Sequence, residues 1–201
     1  MQSNKIKIRI VLFSLSAIFF QSLHAQNWDI DVLKQINPRY PVNNTWRTIS
    51  STAEPLAAGV PLGLIAYSLI TDNHKLEMKS YEIAGSLFLA AAMTEGLKII
   101  DNRPRPYETY PDIIHPDSYE TGHSFPSAHT SLAFSTATSL MLTTKKWYIA
   151  VPAYAWATSV AYSRMYLGQH YPSDVIAGAV VGAGSAWLTH WLNRKYFSKK
   201  K

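Results

Sequence analysis

The chain contains no cysteine, which excludes a disulfide framework and any thiolate metal centre. It is also poor in charge. Asp, Glu, Lys and Arg supply 16% of its 201 residues, against about 25% in ordinary globular chains. The acidic sign is the scarcer, with 13 Asp and Glu against 19 Lys and Arg. The resulting net charge of +6 suits nucleic acid, acidic lipid, or the cytoplasmic charge bias of a membrane protein. No internal repeat, low-complexity tract or pure Leu/Ile/Val run occurs. The length suits one domain with one core.

What is present starts with a basic N-terminus, Lys5, Lys7 and Arg9, followed by an apolar stretch from Ile10 to Phe20 and a small-residue exit ending at Ala25. This order reads as a signal peptide over 1–25, with an uncleaved first transmembrane helix as the alternative. Residues 26–201 then form a single domain. Asn27 to Gln35 is short and amphipathic, placing Trp28, Ile30 and Leu33 at a bilayer surface or a core, with Asp29, Asp31 and Lys34 in water. Asn37 to Asn44 is rich in Pro and Asn and reads as a loop.

Five apolar segments follow: Ser50 to Ile70, Ser80 to Ile100, Ala128 to Thr143, Trp147 to Tyr166 and Val175 to Leu192. Each approaches the ~20 residues that cross a bilayer. Their Ala, Gly, Ser and Thr content permits close helix packing, and Gly178 and Gly182 form a GxxxG pair. The expected fold is all-α: a bundle of about five core helices, transmembrane, with a soluble buried bundle as the alternative. Charge placement favours the membrane. Lys75 and Lys79, Lys145 and Lys146, and Arg194, Lys195 and Lys199–Lys201 all fall on one side if the segments cross in alternation. The loops Asp101 to Ser127 and Gly168 to Ser173 then fall outside.

Those outer loops hold the chemically unusual residues. Lys98 ends an apolar helix, and Arg103 and Arg105 each precede proline. Clustered cations suggest an anionic ligand, and guanidinium groups match phosphate oxygens with paired donors; a basic loop binding acidic lipid is the plainer reading. Ser127 caps the third segment, where free N–H groups favour an anion, and His129 on that first turn can protonate a leaving oxygen. The plainer reading there is a simple cap. His170 lies four residues before Asp174, close enough for the carboxylate to fix the imidazole tautomer and free the other nitrogen for attack. Here the plainer reading is a surface ion pair among Arg164, His170 and Asp174. Ser173 is the expected cap of the fifth segment. Glu95 sits one turn before Lys98 and can pair with it. His115, Asp117 and His123 can be written as a metal site but match no ligand spacing. All three clusters fall on one face, as a phosphoryl-transfer site built on charge and positioning requires.

Lys98 with Arg105-Pro106, then Pro126-Ser127-Ala128-His129, then Ser163-Arg164 with His170 and Asp174 resemble the motifs K-x6-RP, PSGH and SR-x5-H-x3-D of the type 2 phosphatidic acid phosphatase family. Bacterial non-specific acid phosphatases and vanadium haloperoxidases share that pattern. The resemblance implies that Lys98, Arg105 and Arg164 hold phosphate oxygens, with hydrogen bonds from Ser127 and the Ala128 N–H. It implies that His170 attacks phosphorus, Asp174 orients His170, and His129 protonates the leaving group and then activates water. Ala128 stands where the family usually has Gly, and Arg103 lies in the wrong register for the first motif and reads as a spare charge. No cofactor and no metal is implied. The implied function is phosphatase action on a membrane lipid (polyprenyl diphosphate, phosphatidate or lipid A type) through a phosphohistidine. The expected partners are a phospholipid or polyprenyl phosphate substrate and the membrane itself, with neither nucleic acid nor an obligate protein partner. The expected location is a bacterial inner membrane with the site facing the periplasm. The alternatives are a soluble periplasmic acid phosphatase, a vanadium-dependent haloperoxidase and a non-catalytic protein that binds anionic lipid.

Overall fold

The computed structural model describes residues 22–197. The signal segment expected at 1–25 lies outside them except for its last four positions, which open the first helix. The described residues are helical, with no strand among them. Helix α1 runs Ser22–Ile36, α2 Asn44–Ser51, α3 Ala53–Ile70, α4 His74–Asp101, α5 Pro106–Thr109, α6 Ala128–Thr144, α7 Trp147–Tyr166 and α8 Pro172–Leu192, followed by a π-helical turn over Asn193–Phe197.

Local chemistry sets several of these boundaries. Asn43 accepts from the N–H groups of Thr45 and Trp46 and so caps α2. Asn73 caps α4 by accepting from Leu76 N–H. Asn102, in left-handed geometry at φ 51°, ends α4. Pro172 opens α8, where a missing N–H costs nothing, so the N-cap is Tyr171. Ser173, expected to be that cap, already lies inside the first turn and bonds elsewhere.

The five expected segments are α3, α4, α6, α7 and α8, and they form the bundle. Helix α6 is its hub, packing on α3, α4, α7 and α8. It carries Thr130, Ser131, Ser135, Thr136, Thr138, Ser139 and Thr143 into the interior. Several hydroxyls bond locally or across helices: Ser139 Oγ to Ser86 Oγ at 2.6 Å, Thr94 Oγ1 to Ser131 Oγ at 3.0 Å. Helix α8 approaches α6 over Gly178 and Gly182. A Cβ at Gly182 would stand 2.1 Å from the Ser131 carbonyl oxygen, and one at Gly178 2.6 Å from that of Ser127. The GxxxG pair is therefore a backbone-to-backbone contact.

Three stretches are long and apolar enough to cross a membrane: Ala53–Ile70, His74–Thr109 and Pro172–Tyr196. The sequence suggested five. The difference lies in α6 and α7. Helix α6 is short and hydroxyl-rich because its surroundings are other helices, not lipid, so it lacks the apolar character of an exposed span. The bundle exterior is apolar: Leu62, Leu69, Phe88, Ile99, Val151, Ile176 and Val180 are all exposed, as a lipid-facing surface requires.

The bundle has two chemically distinct ends. Lys145, Lys146, Arg194 and Lys195 meet around Trp147, Trp187 and Trp191 at one end. Glu82 and His190, bonded at 2.6 Å, tie the start of α4 to the same end. Lys98, Ala128, Arg164 and Asp174 sit at the helix termini of the other end.

One expectation about α1 fails. Asp29, assigned to water, is fully buried, and Leu33 beside it packs with Tyr107, Ile114 and Tyr171. The helix lies against the bundle's loop end, with Trp28 remaining exposed.

Candidate active site

Three chain segments meet at this end, and backbone bonds join them. Ser124 N–H donates to the Arg103 carbonyl at 2.8 Å, and Ser127 N–H donates to the Asp174 carbonyl at 3.1 Å. The three motifs, far apart in sequence, thus share one hydrogen-bonded frame.

Arg164 is 3% exposed. Its Nη1 donates to Ser50 Oγ at 2.9 Å, and its Nη2 reaches both Glu120 oxygens at 2.6 and 2.8 Å. Its Nε is buried without a hydrogen-bond partner. Arg105 is 2% exposed. Its donors reach the carbonyls of Gly122, Thr121 and Gln169, and its Nη1 lies 3.2 Å from Glu120 Oε2. Two buried guanidinium groups therefore converge on a single carboxylate. Burial alone would raise the Glu120 carboxyl, but Arg164 and Arg105 hold it down at about 2.

Asp174 is fully buried and saturated. Its Oδ1 accepts from Arg103 Nη1 at 2.7 Å, and its Oδ2 accepts from Ser124 Oγ at 2.5 Å and Tyr171 N–H at 2.8 Å. His170, 2% exposed, presents Nδ1 to this carboxylate at 3.6 Å, beyond hydrogen-bond length, and Nδ1 has no other partner. An unpaired buried nitrogen costs about 1–3 kcal/mol. Catalytic hydrogen bonds are often long in free enzymes and tighten as charge develops. Burial pushes the imidazole down to about 4; Asp174 opposes this, while the Arg164 and Arg105 charges act with burial. His170 is thus neutral, with its lone pair available, throughout the physiological range.

His129, on the first turn of α6, is 22% exposed at its side chain, and its Nε2 lies 4.0 Å from Glu54 Oε1 on α3. Ser127 is fully buried and occupies the N-cap position, yet its side chain makes no capping bond and accepts from Thr130 Oγ1 at 3.0 Å. Ala128 is the first residue of α6 and half-buried. Lys98 is 15% exposed, pairs with Glu95 at 3.7 Å as its spacing suggested, and lies within electrostatic range of His129. Glu95 itself faces outward, 65% exposed. A cavity of about 340 Å³, lined by Arg47, Ser50, Glu120, His129 and Arg164 among others, opens onto the Arg164–Glu120 pair.

All eight residues singled out from the sequence lie at this end of the bundle. The surface ion-pair alternative fails, because Arg164, His170 and Asp174 are buried and Arg164 pairs with Glu120. Of the possible metal trio, Asp117 binds Arg47 at 2.5 Å and His115 uses its backbone to hold Asn37.

Arg103 is no spare charge. It bridges Asp174 and Asp29 at 2.7 and 2.8 Å and stacks 3.9 Å from the Tyr171 ring centre. Asp29 in turn accepts from Ser173 N–H and Oγ at 2.9 and 2.5 Å. This layer behind Asp174 fixes the carboxylate that faces His170. Asp29 and Glu120 carry no local motif: the sequence placed Asp29 in water and assigned Glu120 no role. Ser124, two residues before Pro126, was likewise assigned no role.

The PAP2 superfamily model matches residues 81–198. The chain is 36% identical to a lipid A 4'-phosphatase of Bacteroides thetaiotaomicron over 74 residues, which cover 37% of this chain and 33% of that one. It is 32% identical to an undecaprenyl-diphosphatase of Sulfolobus acidocaldarius over 104 residues, 52% of this chain and 50% of that one. It therefore spans a third to a half of the length of these relatives. Its fold matches a transmembrane PAP2-type phosphatidylglycerolphosphate phosphatase of Bacillus subtilis with a TM-score of 0.70 at 21% identity, over 93% of this chain and 94% of the other.

Proposed function

Because the chain belongs to the PAP2 superfamily, we propose that it hydrolyses the phosphate monoester or diphosphate of a membrane lipid through a phosphohistidine. The observation that carries this reading is the convergence of buried Arg105 and Arg164 on one anion position at a site holding a neutral, buried His170. Such a site binds a phosphoryl group by charge and leaves the chemistry to positioning.

Lys98, Arg105 and Arg164 hold the phosphoryl oxygens, with hydrogen bonds from Ser127 Oγ and the Ala128 N–H. His170 attacks phosphorus as the bond to the leaving oxygen breaks. His129, whose pKa burial and the Arg164 charge lower in the free protein, gains a proton as the phosphoryl charge arrives and gives it to that oxygen. Asp174 stabilises the positive charge that develops on the imidazole. His129, now neutral, takes a proton from water as the water oxygen attacks phosphorus. The phosphorus–nitrogen bond breaks, its electron pair returns to His170, and inorganic phosphate leaves.

Two features favour a lipid substrate. The bundle exterior beside the site is apolar up to Ile99 and Ile100, both exposed, so acyl or prenyl chains can lie against it while the head group enters the cavity. The two relatives are named for lipid A and undecaprenyl diphosphate. The placement of Lys145, Lys146, Arg194 and Lys195 at the opposite end supports a site on the outer face of the membrane. Residues 1–25 serve, in this reading, as the export signal.

The test is phosphate release by detergent-purified protein from a panel of polyprenyl diphosphate, phosphatidate, lipid A and a soluble aryl phosphate. Lipid substrates should dominate, and activity should survive excess EDTA. Absence of release from every member, or strict metal dependence, overturns the mechanism. Release of the protein by osmotic shock without detergent would instead favour the soluble phosphatase.

The pH profile follows from His170. Its pKa is lowered, so the nucleophilic form persists as pH falls and is lost only through about pH 4. The acid limb of kcat/KM should therefore lie near 4 instead of near the ordinary histidine value of about 6.5. A pH series with kcat/KM determined at each point checks this; an acid limb at 6 to 7 assigns the nucleophile elsewhere.

A further inference from the structure

We propose that Glu120 is an internal competitor for the phosphoryl seat, and that it sets the affinity of the site for substrate and for released phosphate. The inference rests on the phosphatase reading above.

A phosphoryl group must bind Arg105 and Arg164 through its oxygens. The Glu120 carboxylate already takes that position, with both oxygens on Arg164 Nη2 and Oε2 also 3.2 Å from Arg105. A carboxylate presents two oxygens to a guanidinium with the same spacing and charge logic as a phosphate. The two ligands cannot share the same donors. The donor that Glu120 leaves unused, Arg164 Nε, is buried without a partner, so the cradle retains hydrogen-bonding capacity that the carboxylate does not satisfy.

The local chain suits an exchange of side chains rather than an opening of the loop. The Glu120 backbone is pinned at both polar atoms: its carbonyl accepts from Tyr107 Oη at 2.9 Å, and its N–H donates to the same oxygen at 3.2 Å. Tyr107 is itself 5% exposed within the core. The carboxylate, by contrast, ends in the cavity, with the Glu120 side chain 32% exposed. It can swing toward solvent about its own rotatable bonds while the loop stays in place.

Two consequences follow. Without a carboxylate, two arginines would lie buried and close together with no counter-charge, a costly arrangement. Glu120 therefore stabilises the cradle between turnovers. The same contact weakens phosphate binding, because each incoming anion must displace it. That assists departure of inorganic phosphate, which otherwise binds the cradle as well as substrate does.

The test compares wild-type protein with Glu120→Gln and Glu120→Ala in detergent, using inorganic phosphate and orthovanadate as inhibitors of lipid phosphate hydrolysis. The amide cannot compete as an anion, so both inhibition constants should fall roughly tenfold, with KM falling alongside and kcat not rising. The apparent Tm of the variants should drop without anion and recover on adding phosphate by more than wild type gains. Inhibition constants that stay unchanged or rise in both variants overturn the proposal and assign Glu120 to holding the arginines in place. Loss of folding in one variant leaves the other to decide, and loss in both without recovery in phosphate likewise overturns it. Wild-type protein that neither turns over nor binds vanadate would instead sink the phosphatase reading itself, and this inference with it.

Discussion

Replacing His170 with alanine should reduce phosphate release by roughly 10⁴-fold or more while leaving the protein folded. The size follows from its proposed role: removing a covalent nucleophile leaves only binding and charge stabilisation, which sustain a small residue of the rate. The retention of fold follows from the hydrogen bonds. Asp174 is the buried group most at risk, yet its oxygens are held by Arg103, Ser124 and the Tyr171 N–H, none of which involves His170. His170 Nδ1 has no partner to lose. The variant should elute and melt close to wild type. Rapid-quench trapping with labelled substrate should give an acid-labile, alkali-stable phosphoenzyme in wild type and none in the variant. Substantial turnover by the variant would move the nucleophile to another residue.

The candidate site residues were legible in the sequence because each motif is local. Ser127 to His129 sit on one helix start, and His170 to Asp174 bracket one short turn, so spacing along the chain determines geometry. The residues that support them were not legible, because their partners are distant. Asp29 meets Ser173 across 144 positions and Arg103 across 74, and Arg164 meets Glu120 across 44. No periodicity records such contacts. Arg103 was misjudged for the same reason: its register fits no phosphate-binding role, and its actual role is to hold Asp174. The bundle itself was readable as five apolar segments, but segment length did not separate the three strongly apolar stretches from the hydroxyl-rich central helix. Helix α6 is lined with Ser and Thr because its neighbours approach closely enough to bond or pack against hydroxyls. With α7 also less apolar than the outer helices, three stretches have the apolar character of spans. The cap of α8 was placed at Ser173 by residue preference, whereas Pro172 starts the helix two residues earlier and makes Tyr171 the cap.

The close approach of α6 and α8 leads to the second large expected effect. Gly182→Ala should strongly destabilise the protein and remove most of its activity, although position 182 lies two turns from Asp174. A Cβ there would meet Ser131 O at 2.1 Å, Ser131 C at 2.9 Å and Ser135 N at 2.9 Å. All three are backbone atoms of a central helix, so no side chain can rotate out of the way. The helices must part, at a cost near the ~3 kcal/mol upper end for overpacking. For a chain of this size that corresponds to an apparent Tm lower by roughly 6–12 °C. Parting α6 from α8 also separates what they carry. Ser127 N–H bonds the Asp174 carbonyl across that seam, and His129 and Ser127 ride on α6 while Asp174 rides on α8. A displacement on the order of 1 Å at a catalytic site costs about 10²-fold in rate. Gly184, on the same helix with nothing within 4 Å of its Cβ position, is the matched control. Gly184→Ala should hold or raise stability, since alanine favours helix by about 1 kcal/mol over glycine. Thermal melting and turnover of the two variants side by side separate a steric effect at the seam from a general response to alanine. Equal behaviour of the two would place the α6–α8 contact elsewhere.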